Sequence, residues 1–546
     1  MKVQNIRQNT NNNKNTTPTF NGGADIFLGY LATNKALGMN LVDFCFMVAP
    51  RSTSDFIGRG SDAGWETLRR ESMGATNNTL IGVYGMLAGA LVSGAINKLY
   101  GMKNANKILI SPEMLKLLST YKLNQLKNNK TELDYIKEVL KNVKAYNPSA
   151  KGADKDGFVK LSDEAIEEIA KLLEDSLNNK DLDTFRKWEK LKKGNSYRVI
   201  SNKITEYTGA QSKYIVKASD NTEVATDLHT LLEDFFNMSK TFNKDEVKRE
   251  FQKQIDSGKD LQDNKFFKDF NKYLRKKSIF GFMIAAAIGL SAQPINMYLT
   301  KLKTGSDGFV GVEGRTKDDS PGFWGLKFAT AITFLSVVIK HTGCKLSELK
   351  TLPRQFMDKM AFKGFWASVN QLKGIYGLTI FSRLLAARDK DELRESLTKD
   401  SLGYFSWIVL GDIINKMVAE GSEKSVLNRT NDVEKKGFLS RAFNSSLKNR
   451  EEILIETMHQ NNISTVKQED GKNVAKSFKE IMKDIDKLPE AAKTQLKKRL
   501  RTLNRAQIAG YLFSGLVLGL GIPNLNMFIT NKLDEKRKQK ALNAQK

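Results

Sequence analysis

Cysteine and histidine are nearly missing from this 546-residue chain, which holds only Cys45 and Cys344, and His229, His341 and His459. Two cysteines exclude the disulfide framework with which small secreted domains offset a thin core. Among the histidines only His341 has a second metal-ligating residue at useful spacing, Cys344, and this half-site lacks the other pair that a structural zinc needs. Phosphate-binding glycine loops, dinucleotide fingerprints, nucleophile elbows and the H-E-x-x-H motif are missing too. Gly152 to Asp163 imitates a calcium loop through Asp154, Asp156 and Gly157. Gly152 nevertheless stands where the first ligand belongs and Asp163 where a bidentate Glu belongs, so the segment is read as an Asp/Gly turn ahead of a helix. The sequence assigns no catalytic, cofactor-binding or metal residue, and a non-enzymatic scaffold or membrane-organising component is expected.

Charge is also missing, locally. Ser72 to Asn97, Ser278 to Thr300 and Ala506 to Asn531 carry none, each over at least 23 residues, in a chain that is 27% charged. A 23-residue helix is about 35 Å long, against a bilayer hydrocarbon core of roughly 30 Å. Each stretch repeats small residues at about every fourth position: Gly85, Gly89 and Ser93; Gly281, Ala285 and Gly289; Gly515 and Gly519. Such stripes let helix backbones approach where no water drives association, and offer faces for homo- or hetero-oligomers. The expected fold is mainly α: a multi-pass helical membrane protein with Gly/Ala-striped spans, large Lys-rich helical soluble regions and one small β-hairpin.

What is abundant is lysine. The net charge is +26, and Lys is a hydrated point charge suited to anionic surfaces, so the expected partner is a bilayer rich in anionic lipids. Nucleic acid is the rival partner, kept open by Phe185-Arg186-Lys187-Trp188 and Lys265-Phe266-Phe267-Lys268, where basic residues interleave with aromatics. Residues 1–20 read as a disordered Asn/Thr leader, and 21–101 as membrane-associated helices in which Ala24 to Ala49 is interrupted by Asp25, Lys35 and Asp43. A basic soluble domain is expected over 102–277, with a helix opened by Ser162-Asp163-Glu164 and a hairpin drawn from Tyr197 to Tyr207 and Tyr214 to Val216. A membrane hairpin follows over 278–341, its second arm Trp324 to Ile339 with Lys327 snorkelling at one end. Residues 342–505 form a basic helical region. Within it Val474, Phe478, Ile481, Ile485 and Leu488 make a seam, read as a packing face in preference to a membrane-surface helix. Residues 506–546 are the last membrane helix and a basic tail.

Two patterns bear on function. Leu274 to Thr300 resembles Leu503 to Thr530 at a shift of 229 or 230, matching Pro294 to Pro523 and Asn296 to Asn526. Proline-interrupted spans at corresponding positions mark transport sites in some folds. Here each Pro lies late in its span, so these four residues are read first as helix ends at the interface and second as a transport site. Both copies begin after basic flanks, Arg275-Lys276-Lys277 and Lys497-Lys498-Arg499, which places both starts on the cytoplasmic side, whereas the tail Lys536-Arg537-Lys538 then falls on the opposite side. The second pattern is the ladder Arg51, Asp55, Arg59, Asp62, Glu66 and Arg70, at spacings of three and four. It is read as a solvated salt-bridge helix, with a buried network as the alternative.

Overall fold

The computed structural model describes residues 43–178, 195–218, 223–258, 260–312, 315–362, 364, 367–405 and 410–544. The leader, most of Ala24 to Ala49 and the Phe185 to Trp188 motif lie outside them. The chain is 73% helix.

Residues 96–274 build the first polar domain around the largest apolar core, in which the Phe242, Phe251, Phe266 and Phe270 rings interlock. Sequence signals set its helix starts: Ser111, Thr131 and Asp227 each accept a backbone N–H of the first turn, and Ser162 does so for Asp163–Asn178 as expected. The hairpin is larger than expected. Strands β1 (Val143–Tyr146), β2 (Phe158–Lys160), β3 (Tyr214–Lys217) and β4 (Glu223–Thr226) form an antiparallel sheet in the order β2-β1-β3-β4. Only β3 came from the predicted residues. Tyr197 to Tyr207 lies in the helix Asn195–Thr208, because Ile200 and Ile204 recur at helical spacing and bury a face that strand propensity alone does not register. Asp154 accepts from the Asp156 and Phe158 N–H groups, so this carboxylate closes the turn between β1 and β2.

The bundle uses ten helices, labelled here in chain order: α1 Ala49–Arg59, α2 Ser61–Thr79, α3 Ile81–Val92, α4 Lys265–Thr304, α5 Pro321–His341, α6 Val369–Ala386, α7 Lys390–Phe405, α8 Gly411–Ser422, α9 Glu490–Phe513 and α10 Ile522–Ala544. A π-helical stretch, Ser514–Gly521, joins α9 to α10. Among the described residues three helices are long and apolar enough to cross a membrane: α4, α5 and the continuous 490–544 rod. Ser72 to Asn97 does not form one span. It divides among α2, α3 and Gly94–Leu99, and the 12 residues of α3 reach only about 18 Å. The expected hairpin of α4 and α5 is also altered, for α6 packs along both. Lys327 does not snorkel: it is buried and donates to the Ala387 carbonyl at the C-terminus of α6 at 3.2 Å, where a cation meets the negative end of the helix dipole.

Residues 342–505 therefore divide. α6 and α7 join the bundle, whereas Ala419, Val426, Ile453, Ile485, Leu488, Leu496 and Leu500 share a second polar core. The expected seam ends there as a packing face, with Val474 in the strand Lys472–Ala475 and not in a helix. The two polar domains meet: Glu452 accepts from Gln211 and Ser212, and Glu206 from Thr465. Both thus lie at one end of the bundle, the domain end. At the distal end Arg537 donates to Asp391 at 2.6 Å and Arg315 to Asp534 at 3.2 Å, so part of the basic tail is neutralised within the chain.

A buried charged core between two helix pairs

The ladder is not a solvated helix. It is cut at Gly60, whose φ of 85° turns the chain from α1 into α2. Arg51, Asp55, Glu66, Arg70 and Glu71 are buried, as are Arg383, Arg388, Glu392, Glu395 and Asp400 from α6, α7 and their junction. Sequence reasoning missed this second set, because Asp389 to Asp400 looks like any solvated run of alternating charge. Arg59 grips Glu395 with two bonds, 2.9 and 2.5 Å, and Arg388 grips Glu66 with two, 3.4 and 2.6 Å. These are bidentate guanidinium–carboxylate pairs, each joining the α1–α2 pair to the α6–α7 pair. Deeper in, Glu71 receives Arg51 at 3.2 Å and Arg383 at 3.4 Å, and Arg383 also meets Asp400 at 3.0 Å.

Arg51 Nε further donates to the Leu518 carbonyl at 3.2 Å. Leu518 is halfway along the uncharged stretch Ala506 to Asn531, so the charges extend from the distal end to mid-depth. They surround a cavity of about 30 Å³, room for one water molecule. Its walls include Glu66, Thr67 and Arg70 from α2, Glu395, Ser396 and Lys399 from α7, and Pro523 and Asn526 from α10. Outside the three long apolar helices, Asp391 is held below the usual carboxylate range: burial alone would raise it, but bonds from Arg537 and Arg315 outweigh that cost.

The four repeat residues do not end helices. α4 runs through Pro294, and 490–544 runs through Pro523. Proline has no N–H for the carbonyl four residues earlier, and Ser382 Oγ supplies the missing donor, bonding the Leu290 carbonyl at 2.5 Å. Asn296 is engaged at both ends of its amide, donating to the Glu66 carbonyl at 2.8 Å and accepting from Arg69 at 2.8 Å. Asn526 donates to the Glu395 carbonyl at 3.1 Å. Of the four, Pro523 and Asn526 reach the cavity; Pro294 and Asn296 do not line it.

The small-residue stripes meet neighbours inside this chain. A Cβ on Gly281 would lie 3.3 Å from Gly85 Cα, and one on Gly89 would lie 2.9 Å from the Asn106 carbonyl. Gly289 faces Thr379, and Gly515 and Gly519 face Phe46. Ala285 is buried and Ser93 bonds within its own helical turn. These faces are filled by the chain's own elements. Among the described residues no group of His, Cys, Asp or Glu could hold a metal; His341 contacts Tyr404 and Cys344 contacts Thr342. Compared with family models, with curated proteins and with solved structures, the chain matches none.

Proposed function

We propose that this chain is a non-enzymatic integral membrane protein whose two basic domains lie together on an anionic leaflet. One observation carries the reading: the bundle is apolar outside and charged inside. Only 28–39% of the residues in its three long apolar windows are buried, and Phe280, Met283, Trp324, Phe328, Leu512 and Leu516 are exposed around the outside. Exposed apolar side chains around a charged interior support contact with lipid as the reading. The parallel course of α4 and 490–544 puts Arg275-Lys276 and Lys497-Lys498 at the same end, in line with the positive-inside rule. The decisive experiment is alkaline carbonate extraction of membranes containing the full chain, in which the protein is expected in the pellet. Recovery in the supernatant removes the proposal.

A transport role is the second reading, favoured by the ionisable groups at mid-depth around a polar cavity, since intramembrane charges of this kind usually serve a path. It predicts that Asn526→Ala, at the cavity wall, changes solute flux in proteoliposomes more than Asn296→Ala, away from it. The nucleic-acid reading is weakened, because Phe266 and Phe267 are core residues that no base can stack on.

A further inference from the structure

The reciprocal clamps follow a repeat that hydropathy does not reveal. RGSDAGWETLRRESMGA, Arg59 to Ala75, aligns without a gap on RDKDELRESLTKDSLGY, Arg388 to Tyr404, at a shift of 329 residues. Arg59, Asp62, Glu66, Leu68, Ser72 and Gly74 are identical in the second copy, and Thr67, Arg70 and Glu71 become Ser396, Lys399 and Asp400. The same shift carries α3 onto α8, and each of these packs on the long helix that follows its polar domain. Three pairs of contacts are related in the same way, with a shift of 230 for residues beyond the first polar domain. Arg59 binds Glu395 while Arg388 binds Glu66; Asn296 bonds the Glu66 carbonyl while Asn526 bonds the Glu395 carbonyl; and Gly289 faces Thr379 while Gly519 faces Pro50. The second pair repeats a contact within each half; in the first and third, residue i meets j in the other half while j's counterpart meets i's, the signature of a two-fold axis. Glu66 with Glu395, Thr67 with Ser396 and Arg70 with Lys399 face each other across the cavity, so the axis runs through it.

Where the cavity approaches the distal end, the loop joining the halves lays Phe309 against both clamp arginines, its ring centroid 4.9 Å from Arg59 and 5.9 Å from Arg388. We infer that the protein is an internal duplication, two like-built halves about a pseudo-two-fold axis, and that the reciprocal Arg59–Glu395 and Arg388–Glu66 clamps with Phe309 form a latch closing the axial cavity at its distal end. The halves part there when the latch opens. This holds whether or not the protein conducts anything, and does not depend on the bilayer.

The test uses the full chain in detergent with Cys45→Ser and Cys344→Ser, so that a single cysteine reports on the cavity wall. Ser396→Cys and its counterpart Thr67→Cys are reacted separately with a small hydrophilic maleimide. Both should react slowly in the closed protein. Glu66→Gln, Glu395→Gln or Phe309→Ala should each accelerate both by about tenfold, the factor that corresponds to ~1.4 kcal/mol of opening free energy. Glu456→Gln breaks the Arg499–Glu456 pair in the second polar domain, and should lower thermal stability without changing either rate. If a Gln variant fails to accumulate, Glu66→Asp, which keeps the charge but shortens the reach, is read in the same assay with a smaller acceleration expected. Unchanged rates in folded latch variants overturn the latch. Acceleration at one wall position but not the other overturns the two-fold equivalence.

Discussion

The first polar domain and the bundle are built from opposite partitions of the same residue types. In the domain, Tyr135, Phe242, Phe251 and Phe266 are enclosed while Lys and Glu cover the outside; in the bundle, Arg51, Arg383 and Arg388 are enclosed while Trp324, Phe328 and Leu516 are exposed. Water rewards the first arrangement through the hydrophobic effect. In the proposed bilayer, hydrocarbon would give no such reward, and the bundle would cohere through close backbone packing at Gly85 and Gly281 and through mutually satisfied charges. Burying charges is costly even when they are paired.

The comparison breaks most sharply at Glu71, the carboxylate that receives Arg51 and Arg383. Glu71→Ala leaves Arg51 without an anionic partner and should destabilise the bundle by about 3–5 kcal/mol, seen as early loss of helix in a thermal melt in detergent. A shift under one degree would mean the charges are not a structural unit. Phe266→Ala asks the same of the polar domain, where a truncated aromatic should cost about 3–5 kcal/mol, whether the medium is detergent or lipid. Dependence on the surrounding medium would contradict the ordinary core described for it.

An outward substitution separates the two solvents. Phe328→Asp should hinder membrane insertion by roughly 2.5–3.5 kcal/mol, the penalty for an acid in a span, whereas in water an exposed substitution is worth within about 0.5 kcal/mol. An unchanged membrane-inserted fraction would mean that this face does not meet lipid. Gly89→Leu should cost about 1–3 kcal/mol by driving a side chain into the backbone at Asn106, while Leu87→Ile, on an outward face, should be tolerated. Equal melting temperatures would reduce the stripe to composition.

The smallest effect lies in the second polar domain. Lys467 and Ser477 hold the Glu480 carboxyl down to about 2. A carboxyl with a lowered folded pKa stabilises above its unfolded value near 4.5 and loses that contribution as pH falls toward 2. Glu480→Gln should therefore flatten the acid limb of the stability curve between about pH 4.5 and 2 and leave stability between its variants and the parent most different at neutral pH. Superimposable acid limbs would refute the assignment.

Some of this was legible in advance. Caps at Ser111, Thr131, Ser162 and Asp227 mark helix starts because a side-chain oxygen beside an orphan N–H is a local matter. Ser278 to Thr300 and Ala506 to Asn531 announced long apolar helices by lacking charge. The charged core was not legible, since Arg59 and Glu395 are solvated residues to any local reading and become a clamp only when two distant helix pairs meet. The repeat at a shift of 329 was in the sequence all along, yet it lies in polar segments, and the matched spans, at 229 or 230, suggested a different period. The polar domain inserted in the first half is longer than that in the second, which puts the two shifts out of step.

By itself the sequence determined the helical class, the uncharged rods, the lysine excess and the lack of motif chemistry, because each depends on composition or near neighbours. Only the tertiary structure decided that Ser72 to Asn97 breaks, that α6 separates α4 from α5, that Pro294 passes through a helix completed by Ser382, and that most of the ladder is buried. Those outcomes depend on which groups lie across a packed interface, and a hydrogen bond or ion pair is stabilising only where its partner has been brought to it.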